Sequence, residues 1–143
     1  MAKISDFLPE NFSSTLQDGR NILNLIAAVR QGISYSFFSS LVKESPFSLS
    51  EWSGFLHLSD RTIQRYKSEK KTFDPVHSEK ILEITLLYKR GAVVFGNLDG
   101  FAIWLDTKSV ALGGIVPKTL LDTSFGIGLL QDELTRIEHG VLA

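Results

Sequence analysis

The residues best equipped for chemistry lie between Ser59 and Lys71, in the run SDRTIQRYKSEKK. The guanidinium groups of Arg61 and Arg65 are planar donors that can grip a guanine edge in two places, and the Gln64 amide can do the same for adenine. Ser59 and Thr62 add hydroxyls. Lys67, Lys70 and Lys71 supply positive charges suited to phosphate contact. From Asp60 to Lys71 five basic residues stand against two acidic ones, an excess of three positive charges in a chain whose formal net charge is −1. Such a set, held on one face of a helix, is what reading a nucleic-acid groove requires. A solvated surface helix carries similar charges, so the surrounding sequence has to decide between the two.

That surrounding sequence is the hairpin Ser48 to Tyr66, SLSEWSGFLHLSDRTIQRY. Ser48 and Glu51 have the S-x-x-E spacing of a capping box, and Phe47 with Trp52 can close a hydrophobic staple over it. A first helix therefore begins near Leu49, with Leu49, Trp52, Phe55 and Leu56 on one face. Ser53 is small enough for a crossing helix to approach. His57 and Leu58 make a turn, and Ser59 caps a second helix. Asp60 complements the positive end of that helix dipole. Ile63 and Tyr66 point to a core, which leaves Arg61, Thr62, Gln64, Arg65 and Lys67 facing out. The pattern resembles a helix-turn-helix, whose second helix enters the major groove. His57 occupies the turn position usually held by Gly. If that position needs a positive φ, His adopts it at some cost.

The elements around the hairpin are read from periodicity and caps. Residues 1–15 form a polar lead-in, and a helix begins at Leu16 with Ile22, Leu25, Ile26 and Val29 as its apolar stripe. Gly32 stops it, Ser34 caps a helix carrying Phe37, Phe38, Leu41 and Val42, and Pro46 ends that helix. These two helices can supply a core beneath the hairpin. Asp74 and Pro75 start a long helix reaching to Phe95. Ile81, Leu82, Ile84, Leu86, Leu87 and Tyr88 make it apolar nearly all round, so this chain or a second copy must cover it. Gly96 and Asn97 lead into a short helix with Phe101, Trp104 and Leu105. Asp106 to Val116 is a loop around Gly113 and Gly114, Pro117 opens a further short helix, and Thr123 to Gly128 is a turn. A last helix places Ile127, Leu130, Leu134 and Ile137 at one-turn spacing and stops at Gly140. Nothing reads as a strand, although Ala92–Phe95 and Gly114–Val116 are short β-prone runs. The fold class is all-α, with a helix-turn-helix domain over 16–73 and a second helical domain over 74–143.

Composition narrows the function classes. At 143 residues with 43% hydrophobic and 22% charged residues the chain can bury a core as one domain or two small lobes. It has no Cys, which excludes disulfide scaffolds, thiol catalysis and cysteine-based zinc sites. His57, His77 and His139 are too scattered to suggest a metal site. No apolar run approaches the roughly 18 residues needed to span a membrane, and MAKISDFLPE does not read as a secretory signal, so a cytoplasmic location is expected. The glycine clusters GNLDG, GGIVP and FGIG lack phosphate-loop spacing, and there is no G-x-S-x-G elbow. Asp132 and Glu133, adjacent on a helix, diverge by about 100° and make a poor acid–base pair. No enzyme is expected, and no cofactor. From Asn97 to Ala143 six acidic residues outnumber three basic ones, so this end is suited to a partner other than DNA.

Two stretches in order resemble antitoxins of the Xre/MbcA/ParS type, the partners of RES-domain toxins. The first is LSDRTIQRY, running on to Ser78-Glu79-Lys80, where Lys80 stands at a position the family often fills with Arg. The second runs from VVFGN through Trp104-Leu105, ALGGIVP at 111–117, LLDT at 120–123 and Gly126 to Ile137-Glu138 and Gly140. The resemblance covers roughly Leu41 to Ala143. It implies a type II toxin–antitoxin module in which an Xre-like helix-turn-helix domain, as a homodimer, represses the shared promoter through operator DNA. It further implies that a small C-terminal domain blocks a RES-type toxin in a hetero-oligomer. RES toxins degrade NAD, so that cofactor belongs to the partner. On this reading Ser59, Arg61, Thr62, Gln64, Arg65, Lys67, Lys70 and Lys71 bind DNA. The toxin-facing surface falls on the loop, with Thr107, Lys108, Ser109 and Leu112, and on the end, with Glu138, His139, Gly140, Val141, Leu142 and Ala143. Phe101 and Trp104 are interface anchors if exposed and core residues if not. A stand-alone transcription regulator whose C-terminal lobe dimerises or senses a ligand is the alternative.

Overall fold

The computed structural model describes residues 19–140. The expected lead-in over 1–15, the helix start at Leu16 and the site residues Val141, Leu142 and Ala143 lie outside the described residues. The described chain contains seven α-helices: α1 (Gly19–Gln31), α2 (Tyr35–Glu44), α3 (Leu49–Phe55), α4 (Asp60–Glu69), α5 (Pro75–Phe95), α6 (Leu98–Asp106) and α7 (Ser124–Glu138). Among the described residues a 3-10 turn spans Pro117–Leu120. Among the described residues there is no strand, only two isolated bridges, Ser34 with Thr72 and Ser109 with Ile115. The chain divides into two compact units between Leu82 and Glu83, inside α5.

Local chemistry sets most helix starts. Ser34, Ser48, Ser59, Asn97 and Thr123 each accept the backbone N–H three residues on, which satisfies one of the donors a helix leaves unpaired. Asp74 does the same for His77 at 2.8 Å, and that backbone bond holds its carboxyl below the ordinary carboxylate range. Gly32 ends α1 at φ 91°. A Cβ there would overlap the Phe73 carbonyl and the Thr72 methyl, so glycine meets both a backbone and a space requirement.

The first unit is built on aromatic rings. Phe38 is fully buried and meets Trp52 at 5.6 Å and Phe73 at 5.0 Å between ring centroids. Phe47 packs edge-on against both Trp52 and Phe55, which is the staple expected from its position before the cap. Leu41, Leu56 and Ile63 fill the remainder. The Trp52 indole N–H reaches Ser45 Oγ at 2.9 Å, so its burial leaves no orphan donor. Buried Ser78 of α5 accepts from the Ile33 backbone at 2.8 Å, and Phe73 donates to the Ile33 carbonyl at 2.8 Å. Those bonds tie the turn after α1 to the start of α5.

One expected contribution to this core is smaller than the sequence suggests. Of the α1 stripe, Ile22 and Ile26 remain 39% and 38% exposed and Leu25 and Val29 are half-buried, while Ala28, outside the stripe, is buried. The helix reaches the core by its C-terminal turn, and α2 carries most of the burial through Phe37, Phe38 and Leu41.

The second unit packs α6 and α7 against the C-terminal part of α5. Gly91 lies directly under the Phe101 ring, where a Cβ would overlap it. Phe95, Phe101 and Trp104 form a cluster with centroids 5.8–6.0 Å apart. Phe101 is fully buried and Trp104 half-buried. Burial of Ile81, Leu82, Ile84, Leu87 and Tyr88 shows that the apolar girdle of α5 is covered by this chain itself. Residues 124–128, expected as part of a turn, are the first turn of α7. Thr123 caps it, and Gly126 serves contact, since a Cβ would strike the Leu120 carbonyl. The run 92–95, read as β-prone, is helical. Helix context overrides the β preference of Val and Phe there.

Candidate functional site

In the first unit α3 and α4 form the expected hairpin. Both halves of the capping box are present, with Glu51 N–H on Ser48 Oγ at 3.1 Å and Ser48 N–H on Glu51 Oε1 at 3.0 Å. The turn between the helices passes through His57 at φ 57°. Leu58 N–H bonds the Ser53 carbonyl at 2.9 Å and closes it. His57 therefore takes the left-handed conformation that the Gly position of such a turn demands.

Ser53 and Asp60 then join the two helices. The Ser53 hydroxyl lies 2.5 Å from Asp60 Oδ1, and Ser53 is buried. Ser59 caps α4 through the Thr62 backbone at 3.0 Å, and the two side-chain oxygens are 2.9 Å apart. Ile63 is 1% exposed and anchors the inner face. Tyr66 is half-buried and leans on Phe73 at 5.0 Å.

The outer face follows from those anchors. Arg61, Gln64, Arg65 and Ser68 stand at i, i+3, i+4 and i+7, all exposed. Lys67, Lys70 and Lys71 are exposed at the other end of the helix. Thr62, expected with the outward set, is half-buried because its hydroxyl is turned to Ser59. Arg65 Nε lies 3.7 Å from Glu69 Oε2, both side chains about half exposed. Lys71 Nζ sits 5.7 Å from the Tyr66 ring centre, a cation–π placement. Lys70 caps the helix in the left-handed region at φ 53°. A shallow open depression beside this face is lined by Leu49, Ser50, Asp60, Ile63 and Gln64. The structure thus brings Arg61, Gln64 and Arg65 together on one rigid ridge.

In the second unit the expected loop is a closed turn. Ser109 N–H bonds the Ile115 carbonyl at 2.9 Å, and Gly114 N–H returns to the Ser109 carbonyl at 2.7 Å. Thr107 turns its hydroxyl back to the Ile103 carbonyl. Lys108 is exposed, Ser109 and Leu112 are half-buried, and Val110 projects at 91% exposure. Glu138 ends α7 with Oε1 3.5 Å from Arg90 Nη2. His139 caps the helix, and Gly140 follows at φ 72°. Phe101 belongs to the core and Trp104 borders it, so neither stands out as a free anchor. Among the described residues the exposed aromatic is Phe125, at 94%. Its place in the Gly-containing run Thr123 to Gly128, which suggests a turn, hides it in the sequence. The signal available was the Thr123 cap spacing, which would have placed it on a helix surface.

Among the described residues no group of three His, Asp or Glu side chains is placed to hold a metal ion. Among the described residues no helix is long and apolar enough to cross a membrane.

Comparison with known proteins follows the same division. Residues 25–85 match the family described as Antitoxin Xre-like helix-turn-helix domain, and residues 90–140 match the Antitoxin Xre/MbcA/ParS C-terminal toxin-binding domain. A Yersinia enterocolitica protein named Antitoxin Xre is 27% identical over 120 residues, covering 83% of this chain and 81% of its own length. A Photorhabdus laumondii protein of the same name is 24% identical over 121 residues, covering 84% and 82%.

Proposed function

We propose that this chain, a member of the Xre-type antitoxin family by both of its domains, is the antitoxin of a type II toxin–antitoxin pair. Its C-terminal domain binds and blocks a RES-type toxin that degrades NAD, and its helix-turn-helix domain, as a homodimer, represses the promoter of the pair. The observation that carries the DNA-binding half is the ridge of α4. Arg61, Gln64 and Arg65 are exposed together on a helix whose N-terminus is capped by Ser59 and tied to α3 through Ser53 and Asp60.

The roles divide by chemistry. Arg61, Gln64 and Arg65 read base edges. Ser59, Lys67, Lys70 and Lys71 contact phosphate, and Thr62 acts through Ser59 to hold the cap. NAD is the substrate of the partner, so this chain needs no cofactor. Thr107, Lys108, Ser109 and Leu112 present the loop toward the toxin, and the stretch from Glu138 to Ala143 is the second toxin-facing part.

The experiment is a tagged native purification from cells expressing this gene with its neighbours, the bound protein being identified by mass. A stoichiometric RES-type partner, toxic and NAD-depleting when expressed alone, supports the proposal. A chain that purifies alone as an operator-binding dimer makes it a stand-alone regulator.

A further inference from the structure

We propose that the outer face of α7, built on Phe125 and Leu129, is a further toxin contact of the toxin-binding domain, an apolar anchor in addition to the loop and the C-terminal end. The toxin meets it with an apolar pocket edged by basic side chains. The proposal rests on the antitoxin reading above.

Phe125 is 94% exposed and Leu129, one turn on, 46% exposed. A Phe so exposed contributes little to folding and presents its apolar surface to water at a standing cost. Phe125, Leu129 and Asp132 stand at i, i+4 and i+7 and share one face. Gly128 lies on the same side, and a Cβ there would meet nothing within 4 Å. The helix surface is therefore notched beside the ring, which lets a partner backbone come close.

The opposite face of α7 is fixed. Gly126, Ile127, Leu130 and Leu134 are buried, and Arg90 clamps Gln131 and Thr135. Phe125 is thus presented on a rigid support, so little ordering cost remains for binding. A single aromatic anchor on such a support, seated in a pocket, is the usual form of a binding hot spot.

Family and charge select the occupant. Asp132 follows the ring on this face, and Arg136, one turn farther on the same stripe, lies 3.6 Å from Glu133. From Asn97 to Ala143 acidic residues exceed basic ones by three. The domain that carries this face matches a toxin-binding family over residues 90–140, and a toxin surface edged by basic side chains complements its acidic excess.

The test titrates the full-length chain and its variants Phe125→Ser, Leu129→Ser and Ile103→Ser against the RES-type protein encoded beside it. Ile103 is a control, exposed on a different helix. Phe125→Ser is expected to weaken binding by roughly 30-fold or more and Leu129→Ser by about tenfold, with Ile103→Ser within about threefold of the parent. Phe125 is almost fully exposed, so Phe125→Ser keeps the parental melting temperature, which separates lost contact from lost fold; Leu129 is about half buried, so its variant is also expected to melt somewhat lower. Parental affinity in Phe125→Ser overturns the proposal and leaves the antitoxin reading standing. Failure of the parent chain to bind overturns both. A Phe125→Ser variant that shifts from dimer to monomer while keeping toxin affinity assigns the face to a second copy and also overturns the proposal.

Discussion

The Ser53 hydroxyl of α3 lies 2.5 Å from the Asp60 carboxylate of α4 and 2.8 Å from the Ser50 carbonyl. A hydroxyl has one proton, and the carboxylate is the stronger acceptor, so the proton goes to Asp60. This single bond fixes the first turn of α4 against α3, upstream of Arg61, Gln64 and Arg65. Ser53→Ala is expected to cost about 1–2 kcal/mol in denaturant unfolding, at the low end for a bond to a charged group because exposed Asp60 regains water. The same variant should weaken operator binding without changing its salt dependence, since no phosphate contact is removed. An unaltered unfolding midpoint would show that the bond does not set the hairpin.

His57 holds φ 57° in the hairpin turn. A non-Gly residue in this region stores strain on the order of 1 kcal/mol, and glycine removes it at the expense of a more flexible unfolded chain. His57→Gly should therefore raise stability by up to about 0.5 kcal/mol, read as a slightly higher thermal midpoint with operator affinity retained. A lower midpoint would mean that the His57 side chain contributes more than the backbone loses.

These two positions mark what the sequence does and does not disclose. Ser34, Ser48, Ser59 and Asp74 are legible as helix starts because a cap is a bond across three residues. The outward set on α4 is legible because its anchors, Ile63 and Tyr66, have helical spacing. The Ser53–Asp60 bond is not, since it depends on how two helices meet. Exposure of the α1 stripe and of Phe125 is equally hidden, because periodicity identifies an apolar face but not whether anything covers it. Glycine misled once. In Thr123 to Gly128 it marks close packing on Leu120 and an open notch within a helix, where composition suggests a turn.

Arg90 is the pin of the second unit. Its guanidinium donates to the Gln131 carbonyl at 3.1 Å, to Gln131 Oε1 at 2.8 Å and to Thr135 Oγ1 at 2.6 Å, with Glu138 at 3.5 Å. The Arg90 side chain is 13% exposed, so its guanidinium is largely out of water, while Thr135 and Glu138 stay exposed. Arg90→Ala should cost about 2–4 kcal/mol, because several partners lose their bonds together. Arg90→Lys should recover less than half of that, since an ammonium cannot reproduce the planar fork. Chemical denaturation of the two variants measures both losses, and full rescue by Lys would reduce the interaction to simple charge.

Arg65 and Glu69 test the reading surface. Their 3.7 Å contact is solvent-exposed on both sides, and such pairs contribute only about 0.3–0.5 kcal/mol. DNA can therefore displace Glu69 at little cost, and Glu69 itself repels phosphate. Arg65→Ala is expected to cost roughly 1–3 kcal/mol of operator affinity and to relax preference at one base position. Glu69→Gln should act in the opposite direction, tightening operator and unrelated DNA alike by a few-fold, most strongly at low salt. Lys67→Ala should weaken all sequences about equally and lower the salt slope by about one. Binding curves for operator and scrambled duplex at several salt concentrations separate the three behaviours. If the double variant Arg61→Ala/Arg65→Ala keeps parental operator affinity, α4 is not the reading helix, and the exposed ridge requires a different ligand.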